Sequence, residues 1–144
     1  MDELKRAVEW HKQAVPNPTI ESACVQIGCH YEEVAEMAQA TGDNDLLIEA
    51  ERVGVEYKSK NSHYLDVLYN LNNADKIKLL DALCDQIVTA AGVAHSLGFD
   101  LIGALGEVND SNYSKFTDGK PVFDKNGKID KPATYIKPNL KAFI

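Results

Sequence analysis

The stretch Leu79–Leu97 constrains this chain most, because nearly every residue in it is apolar or small: Leu80, Leu83, Cys84, Ile87, Val88, Ala90, Ala91, Val93 and Ala94. A segment so rich in Leu and Ala is predicted to be a helix, and a helix apolar nearly all round is usually buried. It nevertheless carries Asp81 and Asp85, four apart and therefore on one helical face, with no Lys or Arg between them or within one turn after Asp85. Like charges one turn apart repel, and an unpaired carboxylate taken out of water costs roughly several kcal/mol. A basic partner from elsewhere, a shared proton, solvent along that face or a metal ion would each relieve that cost.

The rest of the chain is also predicted to be mostly helical. A first helix spans about Asp2 to Gln13, with Leu4, Ala7, Val8 and Trp10 apolar, and Pro16-Asn17-Pro18 stops it. A second starts near Thr19, a good N-cap, carries Ile20, Ala23, Cys24, Ile27, Tyr31, Val34, Ala35 and Ala38 at helical spacing, and ends near Gly42. A third runs from Asn44 to about Ser59 with Asp43 as cap; Asn61 to Leu71 forms a short helix, a turn or part of a connection. The fourth starts near Asn73, whose side chain can cap it, and stops at Gly98. The fifth follows Asp100 to roughly Tyr113. Asn126-Gly127 between Val122-Phe123 and Lys128-Ile129 predicts a hairpin, and Pro132 to Pro138 an extended tail. The expected architecture is all-α: a bundle of about five helices with a C-terminal β-hairpin arm and extended tail. Residues 1–116 form the helical domain, and 117–144 are the hairpin and tail of that same domain.

A formal net charge of -7 argues against a nucleic-acid backbone as partner, which needs a basic surface. No apolar run approaches the length of a membrane span, and Met1 to Trp10 is amphipathic, lacking the apolar stretch of a secretory signal. Cys24, Cys29 and Cys84 are odd in number with no CxxC spacing, which points to reduced structural thiols and a cytoplasmic setting. An acidic protein still binds phosphates where a cation stands between the two negative partners.

The second helix supplies a further acidic set. Glu33 and Glu36 share a face, and Glu32 lies one turn before Glu36. If the second and fourth helices pack together, four or five carboxylates converge, and a carboxylate-only cluster suits a hard cation, Mg²⁺ first and Mn²⁺ next. Each set alone has a plainer reading. A Glu-Glu-x-x-Glu run also suits a solvated helix face, and Asp81 with Asp85 also suits a solvent-filled groove.

These residues resemble a known family. Glu32-Glu33-Val34-Ala35-Glu36, followed on a later apolar helix by Asp81-Ala82-Leu83-Cys84-Asp85, is similar to the paired acidic motifs of the all-α nucleotide pyrophosphohydrolases. That superfamily includes MazG-like proteins, dimeric dUTPases and phosphoribosyl-ATP pyrophosphohydrolases, and holds Mg²⁺ with Glu-x-x-Glu on one helix and Glu-x-x-Asp on another. The run Glu107 to Phe116, with Ser111-Asn112-Tyr113-Ser114-Lys115, then Asp118-Gly119-Lys120-Pro121 and Gly127-Lys128, resembles its phosphoribosyl-ATP-pyrophosphohydrolase-like, MazG-like branch, found in phages and bacteria. Ala82 stands where strict Glu-x-x-Asp spacing would put an acid, and Asp81 is the nearest substitute, still on the face of Asp85.

The resemblance implies hydrolysis of a (deoxy)nucleoside triphosphate between its α and β phosphates. It implies Mg²⁺ on Glu33, Glu36 and Asp85, with Asp81 acting directly, through water or on a second ion. Glu32, with Glu33 beside it, would orient the attacking water or accept its proton. Ser111, Asn112 and Lys115 would meet the nucleotide's phosphates, and the assembly would be a homodimer or homotetramer. The alternatives are a phosphoribosyl-ATP pyrophosphohydrolase, a non-catalytic nucleotide-binding helical module, and a helical assembly protein whose fourth helix completes its core by dimerising.

Overall fold

The computed structural model describes residues 2–144. Six α-helices lie among them: α1 (Glu3–Ala14), α2 (Ile20–Thr41), α3 (Asn44–Lys58), α4 (Ser62–Tyr69), α5 (Asn73–Ser96) and α6 (Leu101–Tyr113), followed by a 3₁₀ turn at Lys141–Phe143. The all-α class holds. The chain forms two compact units. One comprises the chain up to Pro16 with Asn72–Val122 and Asp130–Ile144; the other comprises Asn17–Leu71 with Phe123–Ile129.

Side-chain caps set where each helix begins. Asp2, Thr19, Asp43, Asn61, Asn72 and Asp100 each accept a backbone N–H from the first turn of α1 to α6. At Thr19 the cap is reciprocal: its hydroxyl accepts from Ser22 N–H while the Ser22 hydroxyl accepts from Thr19 N–H. The α5 cap is Asn72, one residue before the expected one, and Asn61 caps a true helix in the stretch that periodicity alone left undecided. Gly42 ends α2 at φ +78°, a left-handed conformation that glycine adopts without strain.

In the second unit α2 and α3 pack as an antiparallel pair, with Cys24 Sγ donating to the Tyr57 carbonyl. The close approach centres on two glycines. A Cβ on Gly28 would lie 2.7 Å from the Gly54 carbonyl oxygen, 2.9 Å from the Lys58 nitrogen and 2.6 Å from Lys58 Cγ. Tyr31, Tyr57 and Tyr64 stack in series across α2, α3 and α4, with centroids 5.8 and 4.0 Å apart. Cys24, Val25, Ala35, Ala38, Ala50 and Leu68 are the buried apolar residues of this unit.

Gly28→Ala is expected to destabilise the chain although helix propensity favours alanine by about 1 kcal/mol. Two of the three atoms in the way are backbone, so overpacking costs about 2–3 kcal/mol and prevails. A melting-temperature fall on the order of 5 °C would register it; an unchanged or higher value would show that α2 and α3 separate cheaply.

In the first unit α6 is the hub. It meets α1, where Asn109 donates to the Glu3 carbonyl and carboxylate, Arg6 pairs with Asp110, and Trp10 Nε1 donates to the Asn112 carbonyl at 2.8 Å. Asn109 is 1% exposed, so its amide needs those acceptors. The tail lies along α6, with Asn139 N–H on the Glu107 carboxylate and Ile136 N–H on the Ser114 hydroxyl.

Two expectations are corrected. The C-terminal hairpin is absent: the described residues contain no strand, only single backbone bridges at Thr117–Lys120 and Phe123–Ile129. Asn126 does not take the positive φ that a two-residue Asn-Gly turn requires; only Gly127 does, at +84°. Asp124 closes the turn instead, its carboxylate accepting the N–H groups of Asn126 and Lys128. Residues this few cannot bury a face, so no ladder propagates.

The second correction concerns α5. It was expected to be buried, yet Ala94 is its one buried residue; Leu80, Ile87 and Val88 are 63%, 52% and 67% exposed. Within its unit the main packing of α5 is on α6, and most of its circumference is uncovered. No single described helix is long and apolar enough to cross a membrane.

Candidate functional site

The Glu-Glu-x-x-Glu run falls in the middle of α2, where helical geometry sets Glu32 and Glu36 one turn apart and Glu33 and Glu36 on a shared edge. Glu33 and Glu36 are exposed; Glu32 is half-buried and differently placed. One of its oxygens accepts from Lys58 Nζ, and the other accepts from Lys128 Nζ at 2.6 Å. Burial raises the Glu32 carboxyl, but Lys128 and Lys58 together outweigh burial and hold it below the usual glutamate value. Burial likewise lowers Lys128, and Glu32 more than offsets it, so Lys128 stays above the usual lysine value. The pair therefore stays ionised across the neutral range. Stability from Glu32 is lost only as pH falls through its depressed value, and that from Lys128 only as pH rises through its elevated one.

Local structure explains how both lysines arrive. Lys58 ends α3, and its aliphatic stem crosses α2 over Gly28, where a side chain would block it; Glu32 lies one turn further along α2. Lys128 follows the Asp124 turn, and Lys60 Nζ donates to the Asn126 carbonyl of the same turn. Sequence reasoning missed this arrangement. Gly28 and Gly54, each alone inside a helical pattern, were its only signal.

Asp81 and Asp85 lie on α5 as expected, one turn apart and exposed, and neither joins an ion pair among the described residues. Solvent at the helix face thus relieves their repulsion. The α2 acids belong to one unit and the α5 acids to the other. Among the described residues no three carboxylate, imidazole or thiol groups cluster closely enough to hold a metal ion. The donor chemistry nonetheless fits magnesium, which commonly takes one or two carboxylates from protein and fills its remaining positions with water and substrate phosphate. Glu33 and Glu36 are two exposed carboxylates on one helical edge of α2.

The third predicted group ends α6. Ser111 is buried, and its carbonyl accepts from the Ser114 hydroxyl. Lys115 Nζ donates to Asn112 Oδ1 at 2.8 Å and lies 5.8 Å from the centre of the Trp10 ring and 5.9 Å from that of Tyr135. Trp10 is a core residue, stacked on Phe116 with centroids 5.6 Å apart. His11 packs edge-on against Trp10, and burial, then Lys115, lowers its basicity. Cys24 is buried, Cys29 half-buried and Cys84 exposed on α5; all are free. Comparison with protein-family models, with curated proteins and with solved structures yields no match.

Proposed function

We propose that this chain is a magnesium-dependent nucleotide pyrophosphohydrolase that converts a (deoxy)nucleoside triphosphate to its monophosphate and pyrophosphate. The observation that carries this reading is the α2 carboxylate face, where Glu33 and Glu36 stand exposed beside a Glu32 held ionised by two lysines. The motif resemblance adds Asp85, with Asp81, as the α5 contribution to the same chemistry. A bound Mg²⁺ would offset charge on phosphate oxygens and make a water more acidic. Glu32, beside that face, orients the water or accepts its proton. Lys115 supplies positive charge, and Asn112 a hydrogen bond, to the nucleotide, whereas the buried Ser111 is not presented to it.

Assembly as a homodimer or homotetramer is part of this proposal. Leu80, Leu83, Ile87 and Ala90 recur at the three- and four-residue spacing of a helix–helix seam, and an exposed apolar face of that extent marks an interaction surface. A second copy carries the identical face, which is what a twofold interface requires.

Incubation with a panel of canonical and modified triphosphates tests the catalytic reading. Pyrophosphate and monophosphate are the expected products, formed with Mg²⁺ and not in EDTA. Orthophosphate as the first product, or equal rates with chelator present, would refute it.

A further inference from the structure

Lys58 and Lys128 both bond to Glu32, one to each carboxylate oxygen, and Asp124 also acts on Lys128. Lys58 is held with its side chain 16% exposed, in a channel that exists because residue 28 lacks a side chain. Lys128 is presented by a turn fixed on two sides, by Asp124 within it and by Lys60 from the end of α3. The result is a preformed pair of cations in an otherwise acidic chain, converging on α2 within one turn of Glu33 and Glu36. A divalent ion offsets only part of a triphosphate's charge, and the remainder calls for ammonium groups at that place.

We propose that Lys58 and Lys128 are the polyphosphate-binding cations of this protein, held by Glu32 in the empty state and passed to phosphate oxygens when substrate enters. The proposal deepens the pyrophosphohydrolase reading and rests on it for the identity of the substrate. It also explains how Glu32 can serve as a proton acceptor although both its oxygens are engaged in the empty protein: transfer of the ammonium groups frees the carboxylate. Transfer leaves the half-buried Glu32 without its cations, and burial then raises its affinity for the water's proton.

The test is calorimetric titration of the full chain with inorganic tripolyphosphate, in EDTA and again with Mg²⁺. Lys128→Gln is expected to weaken binding about tenfold, as loss of one charge-assisted contact does, and Lys128→Arg to restore most of it. Lys128 is partly exposed, so its removal is expected to leave the melting temperature nearly unchanged; Lys120→Gln, an exposed lysine elsewhere, is the control. Equal affinities in wild type and Lys128→Gln, or no binding by wild type in either buffer, would overturn the proposal. Should wild type bind tripolyphosphate through Lys128 yet hydrolyse no nucleotide, the catalytic reading falls and the cation pair stands.

Discussion

Glu36→Gln is expected to leave the fold intact and to cut pyrophosphate release by on the order of a hundredfold or more. Glu36 is exposed on α2 and joins no ion pair among the described residues, and Gln matches Glu in helix propensity, so stability gives no reason for a change. The carbonyl of Gln keeps a lone pair but loses the charge on which a hard cation depends. Perturbing even the groups that support metal ligands commonly costs ten- to hundredfold, and removing a ligand's charge costs more. Asp85→Asn, at an equally exposed position of α5, is expected to act in the same direction. The check is kcat under saturating Mg²⁺ beside far-ultraviolet circular dichroism for fold. Full turnover in either variant would remove that residue from the proposed chemistry.

The second large effect is expected at Ile87. Were α5 bathed in water in the working protein, Ile87→Asp would be a mild surface change of about half a kcal/mol, given a side chain already half exposed. Placed in an interface between copies, each new carboxylate is buried without a partner, which costs on the order of 3–5 kcal/mol. Two copies carry it, so dissociation is expected to strengthen by at least about a thousandfold. Light scattering coupled to size exclusion would then show wild type as a dimer or larger and Ile87→Asp as a monomer. Thr89→Asp, two residues on and hence on the opposite side of α5, is the control and is expected to keep the wild-type size. A wild type that runs as a monomer at all concentrations would dispose of the self-association proposal.

How much of this was legible in the sequence depends on range. Helix caps were readable because a cap is a contact over two or three residues: Thr19 and Asp43 occupy the positions their side-chain chemistry indicates. The helix at Ser62–Tyr69 was not readable, since eight residues hold too few turns for periodicity to stand out, and Asn61 alone marks its start. The hairpin expectation failed because Asn126-Gly127 was read as a complete turn, whereas Asp124, two residues earlier, captures the amide groups that decide the geometry. The exposed state of α5 was invisible for another reason: an apolar helix reads the same whether its own chain or another copy covers it.

For the candidate site, the acidic residues were legible one by one, as types at helical spacing, and their surroundings were not. Lys58 and Lys128 reach Glu32 from 26 and 96 residues away, and no local pattern announces such a meeting. Gly28 and Gly54 carried the hint, but a lone glycine in a helix says only that something passes close by, not what.

Those separations also set an order of assembly as the chain leaves the ribosome. The α2–α3 pair can close as soon as both helices exist, being joined by two residues, whereas Trp10 must wait for Asn112 and Phe116, more than a hundred positions later. Throughout that interval α1 exposes its largest apolar side chain while the middle of the protein has already formed. Nascent chains halted before α6 would thus carry α1 with its amphipathic face unsheltered.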